Sequence, residues 1–340
     1  MSTIRDVAKL AEVSVATVSR VINNDNKYKM TDETRARVWQ AITQLNYKAK
    51  APARAASVQP DTNQSEAPIK VGCVLSITKK KYKDPFFMSI LSSIEEELSV
   101  HGHELAFVKT AFELEDKKVL YNTFSNNITG LFLMDALNDE AYHFIRNQVP
   151  YIVGIDTQRE DIDNVGYDHY RVAAIAVQHL IDRGHKNIGF IGASGVNGNI
   201  KTTQRYRGYY SSIHAAGLQV HPEWVIDCLW NEDICIEKIV NLCKTGNYPT
   251  AFFVASDLMA MAAMSGLYTL GISVPNEIAI MGLSNIEISK YSNPPLSTID
   301  IPTREFGIVA VDLLLTRMNG YNLLPRKVIL PTSLVTRSST

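Results

Sequence analysis

Between Thr3 and Asn23 the chain carries side chains suited to touching the edges of base pairs. Ile4, Val7, Ala8 and Ala11 recur at helical spacing, and Val13, Val18, Val21 and Ile22 supply an opposing apolar surface. Thr3 with Asp6, and Ser14 with Thr17, fit helix N-termini. The pattern predicts two short helices joined by a tight turn. It leaves Val15, Ala16, Thr17, Ser19 and Arg20 on the outer face of the second helix. A solvated helix face normally carries Lys and Glu. Small residues around a single Arg instead permit close approach to a major groove, where a guanidinium can grip guanine O6 and N7 together.

Other chemistry is weakly signalled. Gly192-Ala193-Ser194-Gly195-Val196-Asn197-Gly198 is glycine-rich, but its G-x-x-G-x-x-G spacing differs from the phosphate-cradling G-x-G-x-x-G, so it reads as a rim loop. There is no G-x-S-x-G, P-loop or H-E-x-x-H sequence, and His101-x-His103 has no obvious further ligands. Cys73, Cys228, Cys235 and Cys243 form no C-x-x-C pair and lie in apolar segments, which suits reduced, buried thiols. No metal site, cofactor or catalytic residue is expected.

These residues need a scaffold. At 340 residues the chain calls for two or three domains, and 46% hydrophobic with 20% charged residues describes a globular protein. The net charge of −1 hides an asymmetry: residues 1–57 hold ten Lys and Arg against five Asp and Glu, whereas the remainder holds 24 against 30. One end thus suits a polyanion. Met1 leads almost directly into a helix, with no secretory signal, and no apolar run approaches the roughly 18 residues that span a membrane. The expectation is a cytoplasmic protein, nucleoid-associated when on DNA.

Thr31-Asp32-Glu33-Thr34 reads as a third helix start, followed by Val38, Trp39, Ile42 and Leu45 at helical spacing. This completes a small all-α helix-turn-helix headpiece, marginally stable on its own. Residues 48–57 hold Pro52 at the start of a short alanine-rich helix, and 58–68 form a polar linker. From Ile69 short apolar runs alternate with amphipathic segments. Expected strands are Val71–Ile77, Leu105–Val108, Gly130–Met134, Tyr151–Ile155, Ile188–Ile191, Ala251–Ala255 and Ile278–Leu283, with helices near 86–100, 139–147, 170–183, 204–216, 232–244, 258–270 and 303–318. Such alternation predicts an α/β body of two parallel sheets covered on both faces. Ligand contacts belong in the loops just after the strands.

The wording resembles the lactose-repressor/galactose-repressor (LacI/GalR) family of bacterial regulators. Thr17-Val18-Ser19-Arg20-Val21-Ile22-Asn23 matches its T-V-S-R-x-x-N signature, and Thr34-Arg35 and Leu45-Asn46-Tyr47 match its third helix and exit. Asp84-Pro85-Phe86-Phe87, Gly184 to Gly192, Ala255-Ser256-Asp257, Gly271 to Pro275 and Asn293 to Thr298 match later blocks. The resemblance implies a periplasmic-binding-protein-like body over 69–340, with subdomain 1 at about 69–167 and 302–331 and subdomain 2 at about 168–301 and 332–340, behind a headpiece with hinge over 1–57. It implies a homodimeric, sequence-specific DNA-binding repressor controlled by a small molecule. By resemblance Val15, Ala16 and Arg20 contact bases on an operator of galactose/purine-repressor type. Thr3, Ser14, Thr17, Ser19, Asn23 and Thr31 cap helices or touch phosphate, and Lys48, Lys50 and Arg54 touch phosphate. Two positions depart from the family: Glu12 replaces the usual turn glycine, and Ala55-Ala56 replaces the hinge leucine that wedges the minor groove.

For the effector, the resemblance assigns Arg205 as the sugar-binding arginine and Trp230 as a stacking ring. Ser256-Asp257 stands for the usual Asn-Asp, and Ser284-Asn285 for the usual Asp-Asp. Asp156 is a candidate replacement acceptor, and Tyr82, Asp84 and Phe87 contribute from the first subdomain. The stretch Ser284 to Tyr291 and the charged insert before Asp84 look most like regulators of β-galactosidase and galactan operons, so a galactoside is the expected effector. The alternatives are a purine or phosphoprotein co-regulator within the same family, and, outside it, a solute-binding protein or an α/β enzyme.

Overall fold

The structure, a computed structural model, describes residues 3–22, 30–45, 47, 69–75, 84–125, 127–134, 137–194 and 198–340. Three helices come first: α1 (Ile4–Leu10), α2 (Val15–Ile22) and α3 (Asp32–Gln44). There follow β1 (Lys70–Leu75), α4 (Pro85–Val100), β2 (Glu104–Thr110), α5 (Lys117–Phe124), β3 (Gly130–Met134), α6 (Asp139–Gln148), β4 (Tyr151–Ile155) and β5 (Asp163–Gly166). A second alternating series runs α7 (His169–Asp182), β6 (Ile188–Gly192), α8 (Gln204–Ala215), β7 (Val225–Asp227), α9 (Glu232–Lys244), β8 (Ala251–Val254), α10 (Asp257–Thr269) and β9 (Ala279–Met281). The chain ends with β10 (Thr298–Asp300), α11 (Thr303–Met318), β11 (Lys327–Ile329) and β12 (Ser333–Val335).

Two compact units result. One comprises Met1–Lys83, Leu91–Val165 and Gly307–Lys327; the other comprises Asp84–Ile90, Gly166–Phe306 and Val328–Thr340. The first holds β1 to β5, paired in parallel in the order β5-β4-β3-β1-β2. The second holds a four-stranded parallel sheet, β7-β6-β8-β9, and the antiparallel pair β10-β12. The parallel α/β expectation is therefore met twice. β3 and β6 are buried at every position, as an apolar strand covered by helices on both faces must be.

Side-chain caps set where the helices start. Asp116, Asn138, Asp168, Thr203, Asn231 and Ser256 each accept a backbone N–H from the first turn of the helix they precede. In the second unit the core is aromatic, with Phe190 lying 5.4 Å from Tyr209 and 5.6 Å from Phe253, ring centre to ring centre. In the first unit Asp163, at the start of β5, is fully buried and clamped by Arg317 of α11 at 2.8 Å and by Arg326 at 3.1 Å. Burial would push this carboxyl up, but the two guanidinium groups and the Arg326 N–H outweigh it and hold it below the usual range. All four cysteines are buried, and none is in a disulfide. No helix among the described residues is long and apolar enough to cross a membrane.

Candidate nucleic-acid interface and ligand site

The headpiece is built on caps. Thr3 and Asp6 form a reciprocal capping box: the Asp6 carboxylate accepts the Thr3 N–H at 2.7 Å and hydroxyl at 2.8 Å, while Thr3 Oγ1 accepts the Asp6 N–H. The backbone and hydroxyl donors of Thr3 hold the Asp6 carboxyl below its ordinary range. Ser14 Oγ accepts the Thr17 N–H at 3.0 Å at the start of α2, and Thr31 Oγ1 accepts the Thr34 N–H at 3.3 Å at the start of α3. Between α1 and α2, Glu12 adopts φ 53°, the left-handed conformation that glycine takes without strain. Val7, Ala8, Ala11, Val18 and Val21 close the interior. Val15 and Ala16 remain exposed on the first turn of α2, with Thr17, Ser19 and Arg20 half-buried beside them. The outward face predicted from the sequence is thus present, and its apolar tip can approach a groove closely. Asn23, Lys48, Lys50 and Arg54, and the hinge alanines Ala55 and Ala56, lie outside the described residues.

In the second unit the carboxyl ends of β6, β7, β8 and β9 lie along one edge, because the four strands are parallel. Main-chain bonds lace their exit loops together: Cys228 N–H to Gly192 O at 2.7 Å, Ala255 N–H to Ile191 O at 2.8 Å and Asp257 N–H to Leu283 O at 2.9 Å. Four residues on this edge, Leu229, Trp230, Ser284 and Asn285, have φ of 51°, 54°, 125° and 54°. Such conformations cost on the order of 1–3 kcal/mol each and persist where surrounding bonds over-determine them.

Those bonds are visible. The Asp227 carboxylate accepts the N–H groups of Ser194 at 3.0 Å and Leu229 at 3.1 Å, tying the loops after β6 and β7 together. Burial would raise this carboxyl; the Ser194 and Leu229 donors and nearby Lys238 hold it below the usual range instead. The result presents Trp230 half-exposed, with the Arg205 guanidinium 5.5 Å from its ring centre. Arg205 also lies 5.9 Å from the Tyr167 ring and donates to the Tyr167 hydroxyl, and Tyr167 stacks on His169 at 4.2 Å. Arg205 and Trp230, assigned together from the sequence, are brought together. Tyr167, His169 and Asp227 were not assigned. Tyr167 follows a short strand with polar residues, and Asp227 ends a three-residue strand, so neither carries a periodic signal. The N-cap Asp168 marks the start of α7 and was the available clue.

Ser256 caps α10 by accepting the Met259 N–H at 3.2 Å. Asp257 is buried, and its carboxylate accepts the Thr298 hydroxyl at 2.6 Å and the Ile286 N–H at 3.0 Å. Burial pushes this carboxyl up to about 6 against the lowering effect of those donors. Asp257 therefore organises the loop after β9 with its own oxygens. Asn285 donates to Asp300 at 2.7 Å and accepts from Arg337 at 2.6 Å. Ser284, half-buried at φ 125°, is the hydroxyl this loop displays. Asp84 spends one oxygen on the Phe86 N–H at the start of α4, and Phe87 meets Phe86 edge-on. In the first unit Asp156, just after β4, has φ 56° and donates its N–H to Val165 O. Tyr82 lies outside the described residues. No cluster of three or more His, Cys, Asp or Glu among the described residues could hold a metal ion.

Residues 3–50 match the profile of the bacterial regulatory proteins of the lacI family, and residues 177–340 match that of a periplasmic binding protein-like domain. The transcriptional repressor PurR of Actinobacillus pleuropneumoniae serotype 3 (strain JL03) is 33% identical over 323 residues, covering 94% of this chain and 91% of the relative. The chain belongs to the LacI family. As a LacI-family member it is a regulatory protein and not an enzyme. It is also 30% identical over 347 residues to the repressor MelR of Bacillus subtilis (strain 168), covering all of this chain and 97% of the relative. Among solved structures of the family, a complex of the regulator CelR with cellobiose superposes with a TM-score of 0.73 at 25% identity, each chain fully covered. The lac repressor dimer bound to operator and the anti-inducer ONPF superposes at 0.69 and 25% identity, covering 99% of this chain and 98% of that one.

Proposed function

We propose that this LacI-family DNA-binding repressor responds to a galactoside or related sugar held at the carboxyl edge of the second sheet. The observation that carries the reading is the Arg205 guanidinium beside the half-exposed Trp230 indole. A pyranose needs both: a planar donor fork for adjacent hydroxyls, and an aromatic face for its C–H side. Ser194, Ser256 and Ser284 stand on the same edge with small polar groups. In this reading the protein acts as a dimer on a two-fold operator, because one headpiece reads only a half-site. Val15, Ala16 and Arg20 read base edges, while Thr3, Ser14, Thr17, Ser19 and Thr31 fix register through caps and phosphate contacts. Asn23, Lys48, Lys50 and Arg54 add phosphate contacts, Tyr82, Asp84, Phe87 and Asp156 are the further effector contacts of this reading, and the protein works in the cytoplasm on DNA.

The purine reading has its own support, since the relatives at 33% identity are PurR proteins and an indole stacks on a planar base as well as on a sugar. Thermal-shift titration separates the two. A true effector at a hundredfold excess over its Kd stabilises the fold by about 2.7 kcal/mol. Lactose and galactobiose are expected to shift the melting transition, and hypoxanthine and guanine to leave it in place; the reverse pattern overturns the sugar reading.

A further inference from the structure

In α3, Val38, Ala41, Ile42 and Leu45 follow the i, i+3, i+4, i+7 rule, and this seam packs the helix onto α1 and α2. Trp39 is one position off the seam, about 100° around the helix. It is nevertheless only 5% exposed. Part of its cover comes from helices of the first body unit. Phe144 of α6 meets the Trp39 ring edge-on at 6.0 Å and 87°, and Phe144 in turn packs on Tyr121 of α5 at 4.8 Å. Beneath them Phe124 of α5 meets Phe107 of β2 at 5.5 Å. The buried cluster runs without a break from Val7 and Val18 through Trp39 to Leu131 and Leu133 of β3. Meanwhile Val15 and Ala16 stay exposed.

We propose that Trp39 latches the headpiece onto the shelf made by Phe144 and Tyr121. The DNA-reading helix is thereby part of the first body unit's cooperative core and shifts when that unit shifts. The latch gives a side-chain route from body to α2, additional to the covalent connection through residues 48–68. Because the groove-facing tip of α2 points elsewhere, the latch is compatible with bound DNA. The part of the proposal that concerns DNA rests on the repressor reading above.

Hydrogen exchange on the full-length chain tests it. The readout is the exchange rate of α1 and α3 amides divided by that of β1 and β3 amides. Phe144→Leu cuts the shelf without touching the headpiece, and Trp39→Gln cuts the latch without touching the body. Both variants are expected to raise the ratio at least tenfold, and Trp39→Phe, which keeps an aromatic edge, to hold it within threefold of wild type. An unchanged ratio in either cutting variant overturns the latch. A gel shift of the wild-type chain on a galactose-type palindrome, run on the same samples, separates the two readings: failure to bind sinks the DNA reading and leaves the exchange result standing.

Discussion

Glu12 stores strain at the turn that sets the angle between α1 and α2. An L side chain in the left-handed region costs on the order of 1 kcal/mol relative to glycine. Glu12→Gly is therefore expected to stabilise the headpiece by about 1 kcal/mol, seen as slower exchange of α1 amides. Asp257 makes a different residue-scale prediction. Its folded pKa of about 6 stands above the ordinary 3.8, so between those values the folded state binds more proton than the unfolded chain. Stability from this group thus rises as pH falls through 6, by about 1 kcal/mol between pH 7 and 5.5. His179 and His185, held low by burial, work in the opposite direction over the same window. The comparison must therefore be urea denaturation of wild type against Asp257→Asn, in which the Asp257 component vanishes. An identical pH trend in both proteins would remove Asp257 as the titrating group. At the ligand edge, Arg205→Ala is expected to leave operator binding within threefold and to abolish the effect of sugar upon it. A variant that still responds normally relocates the site.

Elements position these residues through close contacts. Where α8 crosses α7, a methyl group at Gly208 would sit 2.3 Å from the Tyr170 carbonyl oxygen and 2.8 Å from Ala173 Cβ. Glycine lets the helices meet, and that approach brings Arg205, three residues earlier, to Tyr167. Gly208→Ala should push α8 outward, cost about 1–3 kcal/mol in urea denaturation and weaken ligand binding with it. In the first unit, Arg317→Ala would strip the main partner from the buried Asp163 carboxylate and cost about 3–5 kcal/mol at neutral pH. Asp163 is held below 3.8 in the fold, so its contribution is complete above that pH and is lost as pH falls through its lowered folded value. Element by element, the long apolar runs were legible: β1, β2, β3, β4, β6, β8 and β9 fall where the sequence pattern puts them. β7, β10, β11 and β12 are three-residue strands outside any long apolar run, and β5 reads Asp-Asn-Val-Gly because Asp163 is satisfied by the distant Arg317 and Asn164 by the nearby Arg159 and Ile162 carbonyls.

At the scale of the whole molecule, charge divides the labour. The excess of basic residues over 1–57 and of acidic ones after it draws one end toward a polyanion and keeps the body off it. With six or more phosphates engaged by a dimer, operator affinity is expected to fall roughly 10³-fold or more between 50 and 200 mM salt. A shallow salt slope in a filter-binding titration would argue against the assigned Lys and Arg contacts.

By itself the amino-acid order determined the headpiece, its caps, the outward Val15-Ala16 tip and the alternation that makes two parallel sheets. Those features are local: hydrogen bonds three residues apart and hydrophobic periods of two and 3.6 are written directly in neighbouring residues. By resemblance it also put Arg205 and Trp230 forward together as effector contacts, and the fold sets the guanidinium 5.5 Å from the indole. Only the tertiary structure decided that Asp257 and Asn285 spend their polar atoms inside the fold, that Asp227 holds the Trp230 loop, and that Trp39 leaves the headpiece seam to meet Phe144. Each of those outcomes joins residues far apart in the chain, and which donor meets which acceptor, or which ring covers which, is settled by packing.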